Sequence, residues 1–426
     1  MATGLMAALR RRGMTVAGFK VGPDYIDPGY HTLATGRPGR NLDPVLVGER
    51  LIAPLAAHGA AGAQLAVVEG VMGLFDGRTG TAGYGCTAHV AELLGAPVLL
   101  VVDVQGQGRS LAALLHGFRS FQPGIRIGGV VLNRVGSVRH EQVCRDACTE
   151  VGLPVLGALR RDDALTVPSR HLGLVTAAEH ATAVQVVQRW ADAVAAQVDL
   201  DAVLSLATPV QHSQRWEPAA EVTPVSGEPV VALASGPAFT FGYPEHAELL
   251  AAAGAVVAPF NPLRDESLPP GTAGVVLPGG FPEEHAGLLA ANASLRAEVA
   301  ALARRGAPVH AECGGLLYLC RTLDGAPMCG VLDAEAVLTG RLVLGYRDAV
   351  APRGSVLHPV GARVSGHEFH RSAVTPRAGD PAWAWAGGEP EGFVQGGVHA
   401  SFLHLHPAAH PGAVARFVAS CGKGGS

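Results

Sequence analysis

The fold of this chain is indicated most directly by PVHAECGGLLY, residues 308–318. A short apolar stretch leads into Cys313, two glycines follow, and a helix-forming stretch begins at once. A strand that turns sharply into a helix is typical of α/β proteins, and the residue at the turn is held in a strained backbone conformation. The segment therefore predicts an α/β domain with Cys313 at a strand-to-helix turn.

The same turn suits nucleophilic chemistry. We expect the thiol of Cys313 to lie exposed near the positive end of the helix, where its pKa is lowered and the thiolate is favoured. Gly314 and Gly315 would let a substrate carbonyl approach the backbone N–H groups. The arrangement is that of a nucleophile elbow with Cys in place of Ser. From this segment alone, a buried structural Cys at a strand end is an equally good interpretation.

Two further segments favour the catalytic interpretation. Residues 277–283, LPGGFPE, form a glycine turn after an apolar run and can supply a backbone amide to an oxyanion. Residues 396–406, GGVHASFLHLH, contain histidines that can act as the general base a thiol nucleophile needs.

Apolar runs alternate with helical patterns through both halves of the chain. The runs are apolar on both faces, as in a parallel sheet covered by helices. The predicted strands are 15–19, 65–69, 98–103, 128–132, 155–159, 230–234, 255–259, 274–277 and 308–311, and the predicted helices include 110–121, 140–151, 243–253 and 284–305. The pattern predicts two doubly wound α/β domains that bind ligands at the carboxyl ends of their strands. A mixed, aperiodic stretch separates them, so we predict domains over 1–205 and 229–426 and a linker over 206–228.

The composition argues against several classes of protein. The 426 residues suffice for two cores, and 48% hydrophobic with 16% charged residues is typical of a globular protein. A formal net charge of −4 argues against nucleic-acid binding. The sequence has no apolar run of the roughly 20 residues that span a membrane and no signal-peptide pattern, so we expect a cytoplasmic protein. Its seven cysteines form no CxxC pair, which gives no indication of zinc or disulfides.

Polar side chains follow several predicted strands of the first half. They stand in KVGPDYIDPGYH (20–31), in EGVMGLFDG (69–77), at Asp103 and at Asn133. Because the carboxyl ends of parallel strands meet at one edge of a sheet, we expect these side chains to converge. Several acidic groups at that edge would suit Mg²⁺ bound to ATP phosphates.

The two strings KVGPDYIDPGYH and EGVMGLFDG closely resemble the cobyrinic acid and hydrogenobyrinic acid a,c-diamide synthase family, and the match runs nearly end to end. Residues 229–410 resemble its class I glutamine amidotransferase domain, and the first half resembles a dethiobiotin synthetase-like, P-loop-type ligase domain. The resemblance implies a carbon–nitrogen ligase of vitamin B12 biosynthesis. ATP phosphorylates a carboxylate of a corrinoid substrate, and ammonia from L-glutamine displaces the phosphate. Mg²⁺ is the implied metal, and dimerisation follows only from the family.

The resemblance also implies roles for residues of the second domain. Cys313 attacks the glutamine amide to form a thioester, and His404 is the matching histidine. Gly280 and Gly314 supply the oxyanion hole. Many relatives carry an acidic residue two positions after that histidine, but here His406 stands there, so we expect a Cys–His dyad rather than a triad.

For the first domain the resemblance implies Glu69 as a Mg²⁺ ligand. Asp24 and Asp76 would position substrate and intermediate, Lys20 would contact a phosphate or carboxylate, and Asn133 would contact adenine. The family also carries a G-x-x-x-x-G-K-[ST] loop and a first strand before a helix similar to residues 2–12. The sequence begins inside that helix, and we expect the natural chain to begin upstream, since losing the loop would severely impair ATP chemistry.

Other interpretations remain at this stage. Cobyric acid synthase and nickel-sirohydrochlorin a,c-diamide synthase share the architecture. A non-catalytic corrinoid-binding remnant is an alternative of another class. The segment GHEFH, residues 366–370, is either substrate-facing or part of a packed loop.

Overall fold

The computed structural model describes residues 1–162, 165–167, 169–170, 173–209 and 214–422. The chain forms two compact units, Met1–Trp216 and Glu217–Ser426. The boundary falls within the predicted linker, of which residues 210–213 lie outside the described residues. No helix in these described ranges is long and apolar enough to cross a membrane.

The first unit alternates strands and helices. Its helices are α1 (Ala2–Arg11), α2 (Asp27–Thr35), α3 (Pro44–Val47), α4 (Glu49–Gly59), α5 (Thr87–Leu94), α6 (Ser110–Phe121), α7 (Val138–Glu150), α8 (Ala183–Gln197) and α9 (Leu200–Leu206). Its strands are β1 (Val16–Val21), β2 (Arg40–Leu42), β3 (Leu65–Glu69), β4 (Val98–Asp103), β5 (Ile127–Val135), β6 (Val155–Arg160), β7 (Ser169–Arg170) and β8 (Gly173–Leu174).

Within the described part of this unit, the longer strands form two parallel sheets. One has the order β2-β1-β3 and the other β4-β5-β6. The register aligns Lys20 of β1 with Glu69 of β3, so two charged side chains meet where both strands end. Helix α2 follows β1 and ends at Thr35 because Gly36 takes the left-handed conformation, at a φ of 71°.

The second unit has a larger central sheet. Its helices are α10 (Pro218–Glu221), α11 (Pro244–Ala252), α12 (Ala286–Ala291), α13 (Ala293–Arg304), α14 (Gly314–Leu319) and α15 (Pro411–Cys421), with 3₁₀ turns at Pro282–His285 and Pro407–Ala409. Its strands are β9 (Val230–Ala234), β10 (Val256–Phe260), β11 (Thr272–Leu277), β12 (Val309–Glu312), β13 (Thr322–Leu323), β14 (Ala326–Pro327), β15 (Glu335–Val350), β16 (Arg363–Thr375), β17 (Phe393–Gln395) and β18 (Val398–Ser401).

The central sheet of the second unit has the order β10-β9-β11-β12-β18-β17 among the described strands. All neighbours are parallel except the edge pair β17–β18. This confirms the predicted parallel α/β arrangement. The largest buried cluster of the unit lies around β9, β11, β12, α13 and α14.

Many predicted elements are confirmed, some with the same bounds, as for β3, β4, β9 and α6. The single helix predicted over 284–305 is wrong. A 3₁₀ turn and two helices occupy that stretch, and α13 starts afresh because the Asn292 side chain accepts a hydrogen bond from the Leu295 amide. Asn favours such a cap over a helix interior.

A long antiparallel pair, β15 and β16, was not predicted. Its strands have no uniform apolar face that would distinguish them in sequence, since β15 is largely exposed. The GHEFH segment lies in β16, so its interpretation as a packed loop is wrong.

Candidate active site

Cys313 sits at the turn between β12 and α14 with φ 47° and ψ −102°, a region that non-glycine residues rarely adopt. Its backbone amide donates a 2.7 Å hydrogen bond to the carbonyl of Ser401, which ends β18. The surrounding structure therefore maintains the strain, as is common at functional sites. This is the elbow geometry that the sequence predicts.

The glycines beside Cys313 are required by close packing. A Cβ on Gly315 would lie 2.1 Å from the carbonyl oxygen of Leu277, and one on Gly314 would lie 2.9 Å from the amide nitrogen of Gly280. The backbone of the 277–282 loop is thus adjacent to the backbone that follows the thiol. Gly280 and Gly314, expected to form the oxyanion hole, are neighbours in space.

The protonation state expected for Cys313 is wrong for the structure as it stands. Its side chain is buried, and burial raises the pKa of the thiol well above its usual value. The carboxylates of Glu283, Glu312 and Glu368 raise this pKa further, and the nearby Gly314 amide opposes them only in part. The six-residue helix α14 does not outweigh these effects, so the thiol is protonated and needs a base to become nucleophilic.

His404 is fully buried next to the same loop. Its backbone exchanges two 2.9 Å hydrogen bonds with His367 of β16. A Cβ on Gly279 would lie 2.4 Å from Cε1 of its ring, so the imidazole packs directly against the glycine that precedes Gly280. The loop that touches the nucleophile's turn therefore also touches the expected base.

Sequence reasoning missed Glu312, whose carboxylate lies 3.7 Å from Nδ1 of His404. His406, which occupies the position of the usual acidic residue, instead lies 4.0 Å from Glu245 and packs on the ring of Tyr243. The only sequence signal for Glu312 is its place directly before Cys313.

The GHEFH segment of β16 lies beside the thiol. The Cys313 thiol is 3.9 Å from the carbonyl oxygen of Phe369. Next to it, Glu368 is buried, with His370 at 3.6 Å and Arg347 at 2.7 Å. These two neighbours outweigh the effect of burial and lower the pKa of Glu368. This strand thus lines the nucleophile's surroundings, and sequence reasoning had left that alternative open.

The first unit gathers charges around Lys20. Its buried ammonium group lies 2.5 Å from Asp27 and 3.9 Å from both Asp24 and Glu69. The Asp24 carboxylate also accepts the amides of Ile26 and Asp27, which fixes the loop at the start of α2. The structure therefore brings Lys20, Asp24 and Glu69 together, and it adds Asp27, which sequence reasoning missed.

A fully buried histidine completes this cluster. His31 Nε2 lies 2.6 Å from the carboxylate of Glu69. Burial would raise the pKa of Glu69, but the hydrogen bond from His31 and the charge of Lys20 lower it to about 2. Glu69 is therefore ionised at neutral pH. His31 was within the quoted KVGPDYIDPGYH string but was assigned no role.

Asp76 and Asn133 are not joined to this cluster by any contact of the described residues. Asp76 is exposed, and its carboxylate accepts the amide of Gly73 in the turn after β3. Asn133 lies near the end of β5, in the other sheet, paired with Asp103 of β4.

Comparisons with known proteins identify both halves. Residues 1–175 match the CobQ/CobB/MinD/ParA nucleotide binding domain, and residues 230–412 match the CobB/CobQ-like glutamine amidotransferase domain. A hydrogenobyrinate a,c-diamide synthase of Mycobacterium bovis is 59% identical over 98% of this chain and 94% of that protein. One of Streptomyces coelicolor is 54% identical over 99% and 94%, and a cobyrinate a,c-diamide synthase of Gloeobacter violaceus is 43% identical over 98% and 92%.

The chain belongs to the a,c-diamide synthase family. Membership of this family confirms the resemblance that the segments KVGPDYIDPGYH and EGVMGLFDG indicated. It also agrees with an amidotransferase unit and a nucleotide-binding unit in one chain.

Residues 1–175 match a nucleotide-binding domain, and protein-bound nucleotides commonly carry Mg²⁺ on their phosphates. The residues of the first unit can therefore be compared with what Mg²⁺ requires. Among described residues, no group of three or more His, Cys, Asp or Glu side chains is arranged to hold a metal. The ammonium of Lys20 lies among the carboxylates instead. Glu69 is about one-quarter exposed and can offer one carboxylate. Mg²⁺ usually binds through one or two carboxylates plus phosphates, so Glu69 fits an ion carried by a nucleotide rather than a protein-only cage.

Proposed function

We propose that this protein uses ATP and glutamine to convert the a and c carboxylates of hydrogenobyrinate into carboxamides. The observation that carries the proposal is Cys313 at a positive-φ elbow, packed against the same glycine loop as His404. That geometry suits a glutamine-hydrolysing thiol, and family membership supports an attached ligase.

The cobalt-free substrate is favoured by the ranking of the relatives. Relatives at 59% and 54% identity are named for hydrogenobyrinate, whereas three at 43%, 41% and 39% are named for cobyrinate.

In the second unit, glutamine supplies the nitrogen. His404 takes the proton of the Cys313 thiol as sulfur attacks the side-chain carbonyl of glutamine. The amides of Gly280 and Gly314 stabilise the oxyanion, and the imidazolium returns its proton to the departing ammonia. Water then hydrolyses the thioester to release glutamate and the free thiol.

In the first unit, a substrate carboxylate is activated. Its oxygen attacks the γ-phosphorus of ATP, giving an acyl phosphate and ADP, and ammonia displaces inorganic phosphate to form the amide. Lys20 contacts the phosphate or carboxylate, Asp24 and Asp76 position substrate and intermediate, and Asn133 contacts adenine. Magnesium held by Glu69 would offset phosphate charge when the nucleotide is bound.

The test is product analysis by mass spectrometry with ¹⁵N-amide glutamine or ammonium as nitrogen source. We expect two nitrogens incorporated into hydrogenobyrinate, with ATP required. Cys313→Ala should abolish glutamine-driven amidation and leave ammonia-driven amidation intact. Cys320→Ala, at another buried cysteine next to α14, is the matched control. Glutamine-driven product from Cys313→Ala, or faster amidation of cobyrinate than of hydrogenobyrinate, would contradict the proposal.

A further inference from the structure

The carboxylate beside His404 belongs to Glu312, which lies in a different segment from the histidine. Glu312 is the last residue of β12 and directly precedes Cys313, and its Oε2 lies 3.7 Å from Nδ1 of His404. The partner of the histidine therefore comes from the nucleophile's own strand rather than from the segment after the histidine.

The Glu312 carboxylate is held in place from a second side. Its Oε1 lies 3.3 Å from Nε2 of His310 and accepts the backbone amide of Leu405 at 3.4 Å. Only 13% of the Glu312 side chain is exposed. Because both oxygens are engaged, the carboxylate has little freedom to turn away from His404.

Glu312 carries a negative charge at this position. Burial would raise its pKa, but the adjacent imidazoles of His310 and His404 outweigh burial and hold the pKa well below its usual value. An ionised carboxylate only accepts hydrogen bonds, so the proton of neutral His404 is favoured on Nδ1. Nε2 is then the nitrogen that can accept a proton, and the Cε1–Nε2 edge of the ring is the one that faces Gly279.

The residue at the usual acidic position cannot perform this task. His406 points to Glu245 and Tyr243, and it carries no carboxylate.

We infer that Glu312 is a positioning residue that orients His404 and stabilises its protonated form, so that Cys313, His404 and Glu312 act as a triad. The inference rests on the proposed glutamine hydrolysis. The alternative role, that Glu312 only pairs with His310 inside the fold, predicts effects that do not depend on His404.

A double-mutant cycle separates these roles. We would compare Glu312→Gln, His404→Gln and the double variant, measuring kcat and KM for glutamine hydrolysis and the rate at which the glutamine analogue azaserine labels Cys313. Glu245→Gln is the matched control, since it neutralises another buried carboxylate that faces a histidine in this unit. Circular dichroism of each full-length variant checks folding.

We expect Glu312→Gln to lower kcat about 10- to 100-fold with a less than roughly threefold change in KM, since removing an orienting carboxylate mainly slows proton transfer. In the His404→Gln background the same change should not slow labelling, because the two residues act as one unit and the lost Glu312 charge otherwise only lowers the pKa of the Cys313 thiol. Glu245→Gln should change kcat less than about threefold. Should Glu312→Gln not fold, Glu312→Asp must retain the charge and lose less activity than Glu312→Ala.

Equal losses in both backgrounds, or a Glu312→Gln variant as active as the wild type, would overturn the inference. These results are distinct from failure of the proposed function, which would appear as glutamine hydrolysis that persists in Cys313→Ala.

Discussion

The amide of Cys313 donates its hydrogen bond to the carbonyl of Ser401, three residues before His404. This bond continues the register in which Glu312 of β12 pairs with Ser401 of β18. The nucleophile and the base therefore lie at the ends of adjacent parallel strands, where α/β folds place their ligands. Strand β18 therefore holds the strained backbone of Cys313 in place and also leads into the segment that carries His404.

The second glycine after Cys313, Gly315, should be required for full stability. Gly315→Ala places a Cβ 2.1 Å from the Leu277 carbonyl, so we expect a loss of about 1–3 kcal/mol in the free energy of unfolding. Gly287→Ala is the control, since no atom lies within 4 Å of its added Cβ in α12. Calorimetry of the full chain measures both, and a Gly315→Ala protein as stable as Gly287→Ala would contradict the packing argument.

The carboxylate of Glu283 should hold the Cys313 thiol in its protonated form. After burial, Glu283 is the largest contributor raising this pKa, so Glu283→Gln should lower it. We expect about two- to tenfold faster labelling of Cys313 by iodoacetamide at neutral pH, because the thiolate is the reactive species. Glu284→Gln, at the exposed adjacent residue, should leave the rate unchanged. Slower or unchanged labelling of Glu283→Gln, measured by mass spectrometry across pH, would refute this electrostatic account.

Buried histidines should make the protein sensitive to acid. His246, His358 and His410 line a cavity of about 30 Å³ together with His310 and His399. Burial, reinforced by neighbouring histidines, lowers the pKa of His246 to about 4, of His358 to about 3 and of His410 to about 4. These groups are neutral in the fold but take up protons near pH 6.5 when unfolded.

The unfolded state therefore binds more protons below pH 6.5, and stability falls as pH decreases from about 6.5 towards 4. Each such histidine contributes a slope of about 1 kcal/mol per pH unit in this window. Urea unfolding at several pH values gives the free energy of unfolding as a function of pH. This free energy should depend less steeply on pH for His358→Gln than for the wild type. His116→Gln, at an exposed histidine, should leave the slope unchanged. A steeper pH dependence of stability for His358→Gln than for His116→Gln would rule out His358 as a source of the acid sensitivity.

Removing the charge of Lys20 should damage the first unit and its chemistry. Lys20→Met leaves Asp24, Asp27 and Glu69 without their shared cation, and we expect a loss of about 3 kcal/mol in stability. Ammonia-driven amidation should stop while glutamine hydrolysis continues.

The double variant Lys20→Met/Asp27→Asn is the matched control. It removes the 2.5 Å pair as a whole and should recover part of the stability without recovering amidation. Calorimetry and product analysis measure the two effects separately. Full amidation by Lys20→Met would exclude Lys20 from the ligase chemistry.

The sequence alone was sufficient for features that depend on local pattern. Runs apolar on both faces predicted the parallel strands, and the glycines after Cys313 predicted the strand-to-helix turn. The two strings of the first half were enough to indicate the family. Periodicity and steric demands act over a few residues, so they can be read without the fold.

Only the tertiary structure decided how the side chains are charged and paired. The protonation of Cys313 depends on burial and on Glu283, Glu312 and Glu368, which come from three separate segments. The partner of His404 is Glu312, 92 positions earlier, and not its neighbour His406. Desolvation and Coulomb interactions depend on distance in space rather than along the chain, so no local pattern could have revealed them.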